Sequence, residues 1–596
     1  MDRREFIRKA SGGFVAGAVF GSAVRGNPIP SREPKQRTTD LSLVSSEHSL
    51  YAHNIENSLL RRTLRNYDRL ETRPYQPDKV FRSDNYSWPG DWEGRTILAL
   101  TLLSRVTDRT PRYLEKIMEL FPKKMNEKGY LGEVYPEGTI NEQQLSGHGW
   151  LLRGLCEYYQ LHGKQQTLDQ IERIVSNLAL PLKGYIASYP ITEEARGSDR
   201  ESGEEMGSIQ GKSGDWILSS DIGCAFIFLD GLTQANLLLE DPKLNSLIEE
   251  MITRYLDMDF IGVKAQTHAT LTTLRAILRY YEQIGETSLL TAVQEIFELY
   301  KTEGMTANYA NYNWFGRPEW TEPCAVIDSF IVAVSLWNHT RDSRYLEDTH
   351  HIYYNAILHG QRANGGFGTD TCAGAGTPFI KPRSSAFEAY WCCTMRGSES
   401  MARTVEFSHF VEDQAIYLPF YFNNQVRLRL RNGSITLTQQ SDYPYSGECN
   451  ITVSECTIST PLSFHLFLPG WLNNPTISLN GDGSSQKTEG DFAVVKRTWK
   501  PGDHIRLTGE MDLYVMDSFG KHNLNGYHTF RHGPCILGTQ TEEEISLGKE
   551  SALQYEGFGR YRIPDTNRRL TPLSNIINIR ENDARDYQRQ ILFRSS

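Results

Sequence analysis

The sequence predicts a multidomain α+β protein: an (α/α)6 barrel of helical hairpins followed by one or more β-sandwich domains. Three observations carry this. Helical spacing of apolar residues dominates from about residue 41 to 411, helix–turn–helix blocks recur within it, and the period changes to two after about residue 412.

The recurrence is positional. Tyr158 and Tyr159 precede Gly163, and Leu168, Ile171, Ile174 and Val175 follow. Tyr280 and Tyr281 precede Gly285, and Leu290, Val293, Ile296 and Phe297 follow at the same offsets. Each block reads as a helix, a turn at the glycine and a second helix. A second echo joins the segment from Thr107 to Leu114 to that from Thr340 to Leu346, both turns between helices. Hairpins repeated over this length imply a closed ring, with an open solenoid as the alternative.

The β region announces itself at Val426, Leu428 and Leu430, which alternate with Arg427, Arg429 and Arg431. Asn432-Gly433 follows, then Ile435 and Leu437, so a hairpin with an Asn-Gly turn is expected. Further strands are expected at Ile477–Leu479 and Phe492–Val495, with turns at Asn480-Gly481 and Pro501-Gly502-Asp503. The boundaries read as a barrel over 41–411, a sandwich over 412–540 and a strand-containing segment over 541–596.

The opening Asp2-Arg3-Arg4-Glu5-Phe6 and the Gly- and Ala-rich stretch from Phe14 to Val24 read as a twin-arginine signal peptide over 1–26, with a polar linker over 27–40. An amphipathic N-terminal helix is the alternative. The mature protein is then expected in the periplasm or outside the cell, without stable membrane association. Net charge is −10 with no long basic run, which argues against nucleic acid as a partner. The 596 residues suggest two to four domains. Aromatic residues, 11% of the chain, suit stacking against sugar rings as well as core packing.

Nine cysteines cannot all pair, and the adjacent Cys392 and Cys393 are poorly placed for an ordinary disulfide. Cys449 and Cys456, in strand-like surroundings, are a possible pair. Glu322-Pro323-Cys324 and Cys392-Cys393 together offer one carboxylate and three thiols, a donor set suited to tetrahedral Zn²⁺. The alternative is that these cysteines are buried small hydrophobes.

The run from Trp391 to Glu399, with Cys392-Cys393-Thr394 at its centre, resembles the double-cysteine motif of glycoside hydrolase family 127, the β-L-arabinofuranosidase-like enzymes. Thr321-Glu322-Pro323-Cys324 resembles the family's Glu-x-Cys segment. Gly90-Asp91-Trp92-Glu93-Gly94, Thr267-His268-Ala269 and the segment from Val494 to Asp503 agree in order, so the likeness covers most of the chain from about residue 45. The resemblance implies an (α/α)6 barrel with β-sandwich domains and hydrolysis of carbohydrate glycosides with retention of configuration. It implies that Glu322, Cys324, Cys392 and Cys393 bind Zn²⁺, and that Cys392 also attacks the anomeric carbon. A metal-bound thiol is deprotonated, so such a site supplies a nucleophile without a separate base.

A departing alkoxide also needs a proton. The family's acid/base glutamate lies somewhat upstream of Glu-x-Cys, where this chain offers Glu303 and Glu319 as the local carboxylates. Neither lies in a matching segment, so Glu319, a tyrosine or a residue elsewhere in the barrel is left for the role. His148 and His268 open barrel helices and are expected at the sugar, with Trp92 and Trp314 as stacking platforms. Two rival readings stand beside the retaining hydrolase. One is an inverting hydrolase or lyase on the same barrel, using Asp91 and Glu93. The other is a carbohydrate-binding protein with a structural zinc site.

Overall fold

The computed structural model describes residues 39–42, 58–81, 87–107, 109–197, 207–412, 414–483, 487–578 and 588–595. The expected signal peptide and nearly all of the linker lie outside the described residues. Among the described residues, no helix is long and apolar enough to cross a membrane.

Among the described residues, twelve helices of seven residues or more alternate between an outer and an inner layer. In chain order they are α1 (Leu59–Leu70), α2 (Asp91–Thr107), α3 (Leu114–Leu120), α4 (Glu142–His162), α5 (Gln165–Ile174) and α6 (Phe228–Leu239). α7 (Pro242–Leu256), α8 (Thr267–Ile284), α9 (Thr287–Glu303), α10 (Pro323–Thr340), α11 (Arg344–Ile352) and α12 (Cys393–Glu406) complete the set. Each even-numbered helix packs on the next, and α12 packs back on α2, so the ring is closed and the open solenoid is set aside. The layers follow from sequence. α4 is buried on all sides from Glu142 to Tyr158, whereas α1 buries one stripe, from Leu59 through Arg62, Asn66 and Tyr67 to Leu70. Gly163 and Gly285 end α4 and α8 in left-handed conformations, as the repeated pattern requires.

Glycine lets the first inner helices approach backbone to backbone. A Cβ on Gly94 of α2 would lie 2.3 Å from the Leu151 nitrogen of α4, and one on Gly149 would lie 2.5 Å from the Ile227 oxygen before α6. Because inner and outer helices alternate in direction, all six inner helices start at one end of the barrel.

Directly after the barrel, strands of the described residues form two sandwich sheets, one of which also takes Thr39–Ser42 from before the barrel. The larger runs Thr39–Ser42, Asn424–Leu430, Gly433–Ser441, Cys449–Cys456, His504–Glu510, Asn473–Leu479, Asp482–Gly483, and the smaller holds Phe410–Glu412, Ala415–Leu418, Leu462–Phe467, Phe492–Arg497 and Lys487–Glu489. The expected hairpin is present, but Leu430 pairs with Gly433, so Arg431-Asn432 form the turn and Gly433 begins the second strand. Sandwich pairing ends near Glu510 rather than at 540. Leu513–Asp517, His528–His532 and Cys535–Gln540 instead join Gln554–Gly557, Arg560–Arg562 and Arg569–Pro572 in a separate sheet, which also takes Arg589–Gln590 and Phe379–Ile380. Pairing with a strand from the barrel segment is invisible to local periodicity. Cys449 and Cys456 stand at opposite ends of one strand, about 23 Å apart at 3.3 Å per residue, so they cannot bond to each other. All nine cysteines are free.

Candidate active site at the inner-helix mouth

Helix starts build the site. Glu322 is the residue that caps α10, followed by Pro323 in the first turn and then Cys324. Proline suits this place because its missing N–H would be unsatisfied there in any case. Cys392 caps α12 with φ −145° and ψ −64°, and Cys393 is the first helical residue. That break in backbone direction lets two adjacent thiols converge, with Sγ atoms 3.3 Å apart. α10 and α12 are ring neighbours, and Cys324 Sγ lies 3.7 Å from Cys393 Sγ. The four ligand atoms of Glu322, Cys324, Cys392 and Cys393 all lie within 4.8 Å of one another.

These residues fit a tetrahedral Zn²⁺. Four ligands at about 2.3 Å imply ligand separations of roughly 3.8 Å, close to the sulfur spacings observed. Glu322 Oε2 is buried and has no hydrogen-bond partner, as a donor atom reserved for a cation would be. Burial pushes the Cys324 and Cys393 thiols well above their ordinary range and the Glu322 carboxyl up to about 7. A divalent cation reverses that preference, and two helix N-termini favour the resulting negative charge.

A second layer fixes the ligands. Arg95 of α2 directs Nη1 to Cys324 Sγ at 3.6 Å, while its Nε is held by both Asp91 oxygens at 2.9 Å. The Arg95 and Arg396 guanidiniums lie 4.2 and 4.3 Å from the Trp150 ring centre, and His268 stacks against Trp150 at 5.8 Å. His268 Nδ1 is 3.4 Å from Glu322 Oε1 and its Nε2 is 3.5 Å from Asp328 Oδ2. Asp328 is anchored by Arg275 and Arg396, which also reach Glu399. Burial and the guanidiniums of Arg95, Arg396 and Arg275 hold His268 neutral.

The structure thus brings together Glu322, Cys324, Cys392, Cys393 and His268. His148 lies apart from that group in its bonding. Its Nε2 accepts from the Leu131 N–H at 3.0 Å and its Nδ1 meets the Gln144 carbonyl at 2.8 Å, so neither ring nitrogen is left for a sugar. It is the seventh residue of α4 rather than its start. Trp92 is buried between Tyr75 and Tyr390, with ring centres at 6.4 and 5.8 Å. Trp314 is buried against Trp320, with Arg317 over its ring. Protein already covers both indoles. Glu319 is more than half exposed and pairs with Arg317 at 2.8 Å. Asp91 and Glu93 start the same helix, so they do not face each other across the barrel, and Asp91 is committed to Arg95. Sequence reasoning missed Arg95, Asp328 and Asp221. A buried charge at or near an inner-helix start was the available signal.

Fold and site together define a six-hairpin barrel protein with appended β domains and a cluster of three thiols and a carboxylate that could hold a metal ion. Residues 257–406 match the family model described as the catalytic domain of GH127 β-L-arabinofuranosidase, and residues 415–511 match that of the GH127 middle domain. These two matches, over residues 257–406 and 415–511, support assignment of the chain to glycoside hydrolase family 127. A GH127 β-L-arabinofuranosidase from Geobacillus stearothermophilus is 14% identical with a TM-score of 0.66, over 94% of this chain and 100% of that one. A second GH127 β-arabinofuranosidase is 13% identical with a TM-score of 0.66, over 94% and 97%. A structure described as a glycoside hydrolase is 15% identical with a TM-score of 0.64, over 85% and 92%. At these identities the likeness is one of fold. No curated protein sequence matches the chain.

Proposed function

We propose that this protein is a retaining glycosidase acting on β-L-arabinofuranosides of oligosaccharide or polysaccharide origin, with Cys392 as nucleophile in a Zn²⁺ site of Glu322, Cys324, Cys392 and Cys393. The observation that carries the reading is the convergence of three thiols and a carboxylate at the mouth of the barrel. Bound zinc would supply a deprotonated thiol at neutral pH. Cys324 and Cys393 are buried, whereas the Cys392 residue is partly exposed, which favours its sulfur as the one that meets a sugar. Its electron pair would bond the anomeric carbon as the glycosidic oxygen leaves, giving a thioglycosyl-enzyme that water cleaves. Glu322 and Cys324, held by His268 and Arg95, would keep the site rigid during both displacements. The twin-arginine opening supports export of an already folded, metal-loaded chain.

The test is native mass spectrometry of wild type and Cys392→Ala, beside turnover of p-nitrophenyl β-L-arabinofuranoside followed by NMR. One zinc per chain, weakened in the variant, and a first product of retained configuration are expected. A well-folded, metal-free wild type would remove the thiolate argument, and an inverted product would remove the double displacement.

A further inference from the structure

Asp221 lies in the turn that precedes α6, and the ring order places α6 opposite α12, whose start carries Cys392. The turn is pinned on both sides. Ser219 donates its backbone N–H to Glu142 at the start of α4, and Gln266, which caps α8, donates its N–H to the Ile222 carbonyl at 3.0 Å. Ser219 Oγ accepts the Asp221 N–H at 3.2 Å, and the Asp221 carbonyl accepts from Cys224 at 3.0 Å. The residue is 5% exposed, and its Oδ1 has no hydrogen-bond partner.

No cation answers this carboxyl among the described residues. The largest charge effects on it come from acidic groups, Glu322 of α10, Glu142 of α4 and Asp91 of α2, with a hydrogen bond from the Gly207 backbone acting the other way. Arg196, which reaches the Ser219 carbonyl of the same turn, pairs with Glu142. Burial first, and the neighbouring carboxylates after it, raise this carboxyl well above its ordinary range and so favour its protonated form. That is the state a general acid needs.

On the retaining-glycosidase reading above, we propose that Asp221 is the general acid/base that the segment upstream of Glu322 does not supply. In the first step the Cys392 sulfur bonds the anomeric carbon, the carbon–oxygen bond breaks, and the leaving oxygen takes the Asp221 proton. In the second, the Asp221 carboxylate takes a proton from water as its oxygen bonds the anomeric carbon, and the carbon–sulfur pair returns to Cys392.

Asp221→Asn is compared with wild type on methyl and 2,4-dinitrophenyl β-L-arabinofuranosides, with zinc content and circular dichroism as controls. The variant should lose roughly 10²–10⁴-fold in kcat/KM on the methyl glycoside and less than about tenfold on the dinitrophenyl one. Added azide should give a glycosyl azide of retained configuration with the variant. Equal losses on both substrates with zinc and fold intact would overturn the role, as would undiminished methyl glycoside cleavage. If Asp221→Asn does not fold, Asp221→Ser is read by the same ratio. A zinc-loaded wild type inactive on both substrates would overturn the hydrolase reading itself and this role with it.

Discussion

The sulfurs of Cys324 and Cys393 stand 3.7 Å apart, although 69 residues separate them in sequence. Two neighbouring inner helices bring them together at their first turns. If the pair is half of a metal site, Cys324→Ser should lower zinc affinity by roughly a hundredfold or more, and a chelator should lower the wild-type melting temperature. Competition with a fluorescent zinc indicator and differential scanning calorimetry check this. A melting temperature indifferent to both would count against a metal here.

Arg95 touches a proposed ligand without being one. Replacing it with Met keeps much of its bulk and removes the charge facing Cys324, so zinc affinity should fall by about 10–100-fold. Lys at this position should rescue only in part, because it cannot both fork onto Asp91 and reach Cys324. Zinc titration of the two variants decides it, and equal affinities would show that Arg95 serves packing on Trp150 instead.

The close helix approaches are testable through glycine. Gly94→Ala and Gly149→Ala each place a methyl within 2.6 Å of a neighbouring backbone atom that cannot step aside. Each should cost about 1–3 kcal/mol or more, measured by urea unfolding. Gly163→Ala at an open helix end meets no atom within 4 Å, so its loss should come from its left-handed backbone alone.

Acid should unfold the protein through histidines kept neutral. Burial lowers His148 to about 4 and His350 to about 4. His350 Nε2 donates to the Pro419 carbonyl at 2.9 Å and, with the ring neutral, its Nδ1 accepts from the Tyr443 hydroxyl at 2.7 Å, which ties α11 to the sandwich. The unfolded chain takes up protons below about pH 6.5 while the folded one does not. Stability from this source is therefore complete above about pH 6.5 and is lost as pH falls toward 4, on the order of 3 kcal/mol per histidine. His350→Gln should flatten the melting temperature against pH over that window. An unchanged slope would place the acid sensitivity elsewhere.

Much of this molecule was legible without coordinates. The matched offsets around Gly163 and Gly285 reflect a hairpin that must bury one helix and half-bury the next, so periodicity encodes it directly. The strand alternation at Val426 and Leu428 encodes a sheet face in the same way. Glu322, Cys324, Cys392 and Cys393 stood out because thiols next to a carboxylate are chemically conspicuous.

What local pattern could not carry was each side chain's partner. His148 and His268 look alike on paper, yet one is spent on the Leu131 and Gln144 backbone while the other stands behind Glu322. Trp92 and Trp314 are covered by protein rings, and Asp221 has no motif at all. Sequence alone determined the hairpins, the strands and the donor set, because spacing and residue type are local properties. Closure of the ring decided the rest: only when α12 meets α2 do six helix starts share one mouth and distant groups feel one another's charge.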